Sequence, residues 1–429
     1  MNILESSLTR GGDGEESGEF YFSDTDKMMA AVALLETIET VIGQMCSSAE
    51  VCGRVEGALI PLFMVVLERR LSDILSETVS LVESITFKRK SISPQMWPVL
   101  DALLRVLEPS ALPEFLPDCS TTLENFVSYG QVDRLLADGY LNRMFAIVDV
   151  ALKVSDDDGG YDSDSDSMSA VDLLESILLY CRGSIDQVIP HILDLIGAQL
   201  QKQKQSETSS QTCLIRFLEI VLNCMYYSAS ITVGHLHQQG WLMVFLELCT
   251  AHLEHFKRVH DLRLILTALA SIFHLPPPQL PSEIIPALPA LLGTFLASVS
   301  AYPKALEARE KLQKDQEAED ANGENTFSRY QKELEDEEED NDNDNDDDYN
   351  ENVDYNDDES GESGDEYDDW EDSDELEEDL FFECPLDTLD FSILIRGTLR
   401  ELTASPQWTQ LAVGSMNPEQ QAVIKQLIG

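Results

Sequence analysis

Residues 26–42 read DKMMAAVALLETIETVI. Within them Met28, Ala31, Leu34, Leu35, Ile38, Val41 and Ile42 recur three and four positions apart, which places them on one face of an α-helix. Asp26 or Thr25 offers a side-chain oxygen to the first-turn amides. The same stripe returns at 55–67, 74–87, 97–107, 123–127 and 135–152. After an acidic stretch it resumes at 170–180, 185–200, 213–226, 242–253, 262–273 and 284–299, followed by a polar helix at 304–317. Pro, Gly or short polar turns separate the stripes, and no convincing run of alternating strand residues appears. The chain reads as all-α.

Two helices fall in each stretch of roughly forty residues, the period of HEAT or armadillo arrays. The expected fold is an α-solenoid of about six or seven HEAT-type helical repeats, in which each unit packs on its neighbours. Such an array escapes the usual ceiling on the size of a single core. Residues 1–25 read as an acidic, Gly-rich flexible linker and 26–317 as the solenoid, with an acidic loop at 155–167. Residues 318–383 read as a long disordered acidic insertion. Helical patterns at 386–402, 406–411 and 418–427 make 384–429 a closing repeat or cap. Residues 284–303 carry no charge over a length near that of a membrane span, but small and Pro residues fill much of the helix outside its apolar stripe. That pattern predicts a core helix.

Charge identifies the partner. The chain holds 80 Asp and Glu against 28 Lys and Arg, a net charge of −52. Thirty of those acids lie between positions 333 and 383, where no Lys or Arg occurs. Carboxylates at that density cannot be buried or neutralised internally, so the segment is expected to be solvated. The remaining 378 residues still carry −22. Nucleic acid and anionic membrane surfaces are therefore poor ligands, and basic proteins are the expected ones. Candidate cargo-binding residues are Glu335, Asp336, Glu337, Glu338, Glu339, Asp340, Asp346, Asp347, Asp348, Asp365, Glu366, Asp368, Asp369, Glu371 and Asp372, with Trp370 among them. Tyr349, Tyr355, Tyr367 and Trp370 can clamp the stems and guanidinium faces of a basic ligand. Phe381 and Phe382 at the exit read as re-entering the core. Ser163 and Ser363, each with an acid three positions on, fit acid-directed kinases, and phosphate would deepen the negative field.

Chemistry finds no assembled site. Eight scattered cysteines without a C-x-x-C pair, and no basic-then-apolar leader at the start, read as an intracellular, reducing setting. His235, His237, His252, His255, His260 and His274, with Cys249 nearby, match no familiar closed zinc pattern and read as surface or half-buried structural histidines. No nucleophile elbow, phosphate-binding loop, dinucleotide fingerprint or H-E-x-x-H is present in the sequence. No cofactor is expected, and the chain is not expected to be an enzyme.

Several stretches resemble the importin-β karyopherins, and in particular the carboxyl-terminal half of the importin seven and eight group. They are Ser93-Pro94-Gln95-Met96-Trp97, Tyr180-Cys181-Arg182-Gly183 with Ile185-Asp186-Gln187 and Ile189-Pro190, and the block from Pro385-Leu386-Asp387 to Trp408. Their order, from about Gly11 to the end, is more specific than any one of them. The resemblance implies a nuclear transport receptor shuttling between cytoplasm and nucleus. Implied partners are basic cargo such as ribosomal proteins and histones, FG-repeat nucleoporins, the GTPase Ran, and importin-β itself. It also implies relatives about twice this long, whose amino-terminal repeats make the main Ran contact, so the chain looks like a fragment or a shortened gene model. Two rivals remain at this point: an acidic histone or ribosomal-protein chaperone without transport activity, and a HEAT-repeat scaffold subunit.

Overall fold

The computed structural model describes residues 24–45, 48–107, 112–154, 163–205, 210–321, 378–380 and 382–429. Sixteen α-helices and no strands occur among them. They are α1 (Asp24–Met45), α2 (Ala49–Arg69), α3 (Leu75–Arg89), α4 (Trp97–Val106), α5 (Leu112–Tyr129), α6 (Val132–Ala137), α7 (Tyr140–Val154) and α8 (Ser163–Tyr180). Next come α9 (Ile189–Gln205), α10 (Gln211–Gln238), α11 (Leu242–Ala251), α12 (Val259–Phe273) and α13 (Leu288–Ala321). The chain closes with α14 (Phe391–Ala404), α15 (Pro406–Leu411) and α16 (Pro418–Ile428).

The helices stack in two layers. In one, α1, α3, α5, α8, α10, α12 and α14 pack each on the next; in the other, α2, α4, α7 and α9 follow one another at wider spacing. Closer spacing on one side bends a stack toward that side, so the first layer lines the inner face. One continuous apolar core runs between the layers, from Leu35 and Phe63 through Phe126 and Phe217 to Phe295 and Leu399.

The repeat period is written in polar ties between neighbouring units. Arg143 reaches Asp101 and His191 reaches Asp149, each 42 residues away; Thr122 donates to the Val79 carbonyl across 43, and Tyr227 to Asp186 across 41. The expected HEAT-type solenoid is the observed architecture, and side chains one unit apart fasten it.

The motifs behind the family resemblance sit at these fasteners. Ser93 donates to Glu56, and Trp97 stacks on Tyr140 at 5.6 Å between centroids with the Arg134 guanidinium over its ring. The turn after Tyr180 uses Gly183 at φ +82°, a conformation that glycine adopts without a steric penalty. It is locked from the next unit, where the Tyr227 hydroxyl accepts from the Ile185 amide and donates to Asp186. Trp408 is buried edge-on against Phe273.

Five expected boundaries change. The first helix already begins at Asp24, so Thr25 and Asp26 lie inside its first turn and not at its cap. The acidic loop expected to reach 167 stops earlier, because α8 already begins at Ser163. Asp164 and Asp166 fall in that first turn, where the helix dipole favours negative charge. The single helix expected at 135–152 is split by Gly139 at φ +74° into α6 and α7. The helix expected to end at 226 continues to Gln238 through a break at Ser228, where φ is −157° and ψ 98°. The two helices expected around Pro303 are one, because losing a single N–H to proline does not end a helix held by its neighbours on both sides.

By length and composition α10 and the segment 285–316 are apolar enough to cross a membrane. In the fold, most of the apolar window of α10 is buried, and Leu288, Leu291, Leu292, Phe295 and Leu296 of α13 are buried on the side that meets α12.

Candidate functional site

The inner face holds a groove of about 650 Å³, floored by α3, α5, α8, α10 and α12 and walled by α13. Across it lies the returning end of the acid-rich run. Glu378 accepts from the Val259 amide at 2.8 Å and pairs with Arg309 at 3.3 Å. Arg309 also donates to the Leu380 carbonyl, and the Phe382 ring meets His260 edge-on at 5.1 Å. Glu383 pairs with Lys90 at 2.8 Å, and its carbonyl accepts from the Tyr180 hydroxyl at 2.8 Å. Asp387 holds Arg263 and accepts from the Cys384 amide at 2.7 Å. Residues 378–380 and 382–387 therefore lie as a strap over the groove, anchored at α12 and α13 on one side and beside α3 and α8 on the other.

Beneath the strap is a buried charge network. Arg216 of α10 binds Asp172 and Glu175 of α8 and Glu219 of its own helix. Arg258 binds Glu219 at 2.5 Å and Asp261 at 2.8 Å. His260 meets Glu175 at 2.7 Å, and Asn223 donates to the same carboxylate at 2.8 Å. Four carboxylates thus face two guanidiniums and one imidazole, so the set is not neutral unless a proton is held. Burial and then the Glu219 charge push the Asp261 carboxyl up to about 8, and burial raises Asp172 as well, so the proton is favoured on these two rather than on Glu175 or Glu219. Burial works against the charged form of Glu175, but His260 and Arg216 more than offset it and keep the carboxyl well below the usual range. Burial likewise opposes the imidazolium of His260, and Glu175 overcomes it, raising the histidine. Such networks contribute little net stability but fix geometry, and here they set the pitch of α8, α10 and α12.

Toward α5 the groove is lined by two carboxyls whose protonated form is favoured. Burial, then repulsion from Asp172, push Glu124 up to about 8, and burial followed by Glu39 raises Glu83. A second, shallower depression of about 850 Å³ lies between residues 250–257 and α13, lined by Leu253, Phe256 and Leu262 facing Ala297, Ala301 and Ala305.

The expected cargo carboxylates, Trp370, Tyr349, Tyr355, Tyr367, Phe381 and Ser363 lie outside the described residues. Ser163 opens α8, and Asp166 three positions on is buried. Phe382 is half-buried against the core, as expected. The histidines do not converge. His235 meets Asp194, His237 meets Glu283, His252 faces Gln211 and His274 faces Glu401. Among the described residues no group of three or more His, Cys, Asp or Glu is disposed to hold a metal. His260 corrects the expectation of a surface or half-buried residue, being 8% exposed inside the charge network. Sequence reading missed this network and the strap, because the contacts that join their elements span 39 to 293 residues with no motif spacing between them.

No family model and no solved structure matches the chain. Curated relatives do. The chain is similar to the Importin beta-like SAD2 homolog of Arabidopsis thaliana, 28% identical over 298 residues covering 67% of this chain and 28% of that protein. It is similar to the Probable importin-7 homolog of Dictyostelium discoideum, 23% identical over 62% of this chain and 24% of the relative. Importin-8 of Homo sapiens is 27% identical over 63% of this chain and 26% of its own length. The matches span about a quarter of these relatives. A two-layered array of helical repeats, ties at the HEAT period and this set of relatives agree, and together they support a place for the chain beside the importin-β karyopherins.

Proposed function

We propose that the chain works in nuclear transport as the cargo-holding part of an importin-type receptor, moving between cytoplasm and nucleus. Its cargo is a basic protein of the ribosomal-protein or histone kind. The acid-rich run attracts that cargo, and the inner groove supplies shape and contact area. The observation that carries this reading is the strap: Glu378 and Glu383 fasten the end of the run across the inner face, so its carboxylates are tethered beside the groove. Tethering of this kind reaches effective concentrations on the order of millimolar. The apolar depression between residues 250–257 and α13 is where we place contact with the phenylalanines of FG-repeat nucleoporins. Ran and importin-β are the regulatory partners that the family implies.

The test is a pull-down on immobilised FG-repeat nucleoporin, with and without a basic cargo and GTP-loaded Ran. FG binding supports the receptor reading, and a Ran effect supports regulation in this chain. Cargo binding without FG binding favours the acidic chaperone instead. Affinity for a basic cargo should fall as salt rises and after deletion of residues 333–377. An affinity indifferent to both would refute the electrostatic mechanism.

A further inference from the structure

At the end of the strap a thiol, an imidazole and a carboxylate stand in line. Cys384 Sγ lies 3.8 Å from His260 Nδ1, and His260 Nε2 lies 2.7 Å from Glu175 Oε1. Glu175 is itself fixed by Asn223 at 2.8 Å and Arg216 at 3.1 Å, so the ring is oriented through two layers of contacts. The Asp387 backbone N–H also points at the sulfur. We propose that Cys384 is a nucleophilic thiol that reacts with peroxides, and that its oxidation unseats the strap from the inner groove.

Thiolate, not thiol, is the nucleophile, and a neighbouring protonated histidine is the commonest means of making one. Glu175 favours the imidazolium of His260 from the far side of the ring, which leaves positive charge facing the sulfur. The other groups facing Cys384 are Tyr180 of α8, whose phenol burial pushes up to about 12 and keeps neutral, and Asp387, which is paired with Arg263. Other cysteines contrast with it. Burial pushes Cys181 up to about 11 and raises Cys119, Cys224 and Cys249 further, with no cation offsetting it. Cys384 also lines the groove, which is wide enough to admit a small peroxide.

The thiolate sulfur attacks one oxygen of hydrogen peroxide, an S–O bond forms and the O–O bond breaks. The departing hydroxide takes the proton from His260 Nδ1 and leaves as water. Sulfur is oxidised by two electrons to the sulfenic acid, peroxide is reduced, and His260 is left neutral until solvent reprotonates it. The added oxygen enters a site where Cys384 is only 6% exposed and Phe382 packs on His260, so residues 382–384 must shift. The shift breaks the Glu383 contacts to Lys90 and Tyr180.

The full chain is treated with hydrogen peroxide and a sulfenic-acid trap at neutral pH, and labelled peptides are mapped by mass spectrometry. Cys384 is expected to label about tenfold faster than Cys119, Cys181, Cys224 or Cys249. Alkylation of the unmutated chain by iodoacetamide gives a second measure independent of any variant. Its rate at Cys384, the thiol beside an imidazole, should exceed that at each of those four cysteines. Cys384→Ser should keep the turn at 385–388 and abolish the label, and peroxide should speed proteolysis near residue 380 in the original chain but not in this variant. Equal labelling or equal alkylation of all the buried cysteines overturns the nucleophile. Fast labelling with unchanged proteolysis overturns its link to the strap.

Discussion

Glu383 and Lys90 are 293 residues apart in sequence and 2.8 Å apart in space, joining the end of the acid-rich run to the second helical pair. The Lys90 ammonium also sits 3.7 Å over the Phe87 ring and donates to the Tyr129 hydroxyl at 3.0 Å. Both charges are largely exposed, so the pair itself adds about 0–1 kcal/mol. Lys90→Ala should therefore leave the melting temperature nearly unchanged. It should instead raise the rate of limited proteolysis within residues 378–384, because the strap loses its anchor on that side. Unchanged cleavage would mean that the Tyr180 and Arg309 contacts suffice.

Arg216 is the centre of the buried network, touching Asp172, Glu175 and Glu219. Arg216→Met keeps the volume and strands those carboxylates. The expected loss is about 3–5 kcal/mol, read by urea denaturation. A loss below about 1 kcal/mol would show that the carboxylates find other partners.

The architecture was largely legible in the sequence, and the reason is physical. Helical spacing such as that of Met28, Ala31 and Leu35 is a local property, and a solenoid packs each unit on sequence neighbours, so local order is nearly the fold. Boundaries failed where a backbone conformation decided them. Gly139 at positive φ and the turn of backbone at Ser228 leave no trace in the apolar stripe. The site was least legible. Arg258 and Glu219, His260 and Cys384, and Lys90 and Glu383 meet only after the array is wound, and no pattern within any one helix announces them.

Asp261 sets a pH dependence. Unfolded, its carboxyl ionises near the ordinary value of about 4; folded, it keeps its proton up to about 8. Between those values the unfolded chain binds fewer protons, so this group makes stability fall as pH rises. His260, raised in the fold, acts in the same sense above its unfolded value, whereas Glu175, held low, loses stabilisation only in acid. Asp261→Asn removes the first contribution alone. Thermal melts should show the variant gaining roughly 3–4 kcal/mol on the original chain between pH 5 and pH 8. A constant difference across that range would mean Asp261 ionises normally.

Met29, Leu34 and Val41 of α1 are exposed, at 59%, 39% and 44%, although each is large and apolar. A repeat array buries such faces against the next unit. The chain as given should self-associate through α1 at micromolar concentrations. Met29→Lys with Val41→Lys should restore a monomer in sedimentation experiments. A monomer without these changes would refute the idea.

The ties between units, such as Arg143 to Asp101 and His191 to Asp149, give the array the mechanics of a coil spring. Each link spans a single joint, so tension along the axis opens joints one after another. Extension would then be stepwise and recoverable, with every joint yielding at a small force and re-forming from neighbours that never separated. An array built this way can widen and recoil without unfolding any helix.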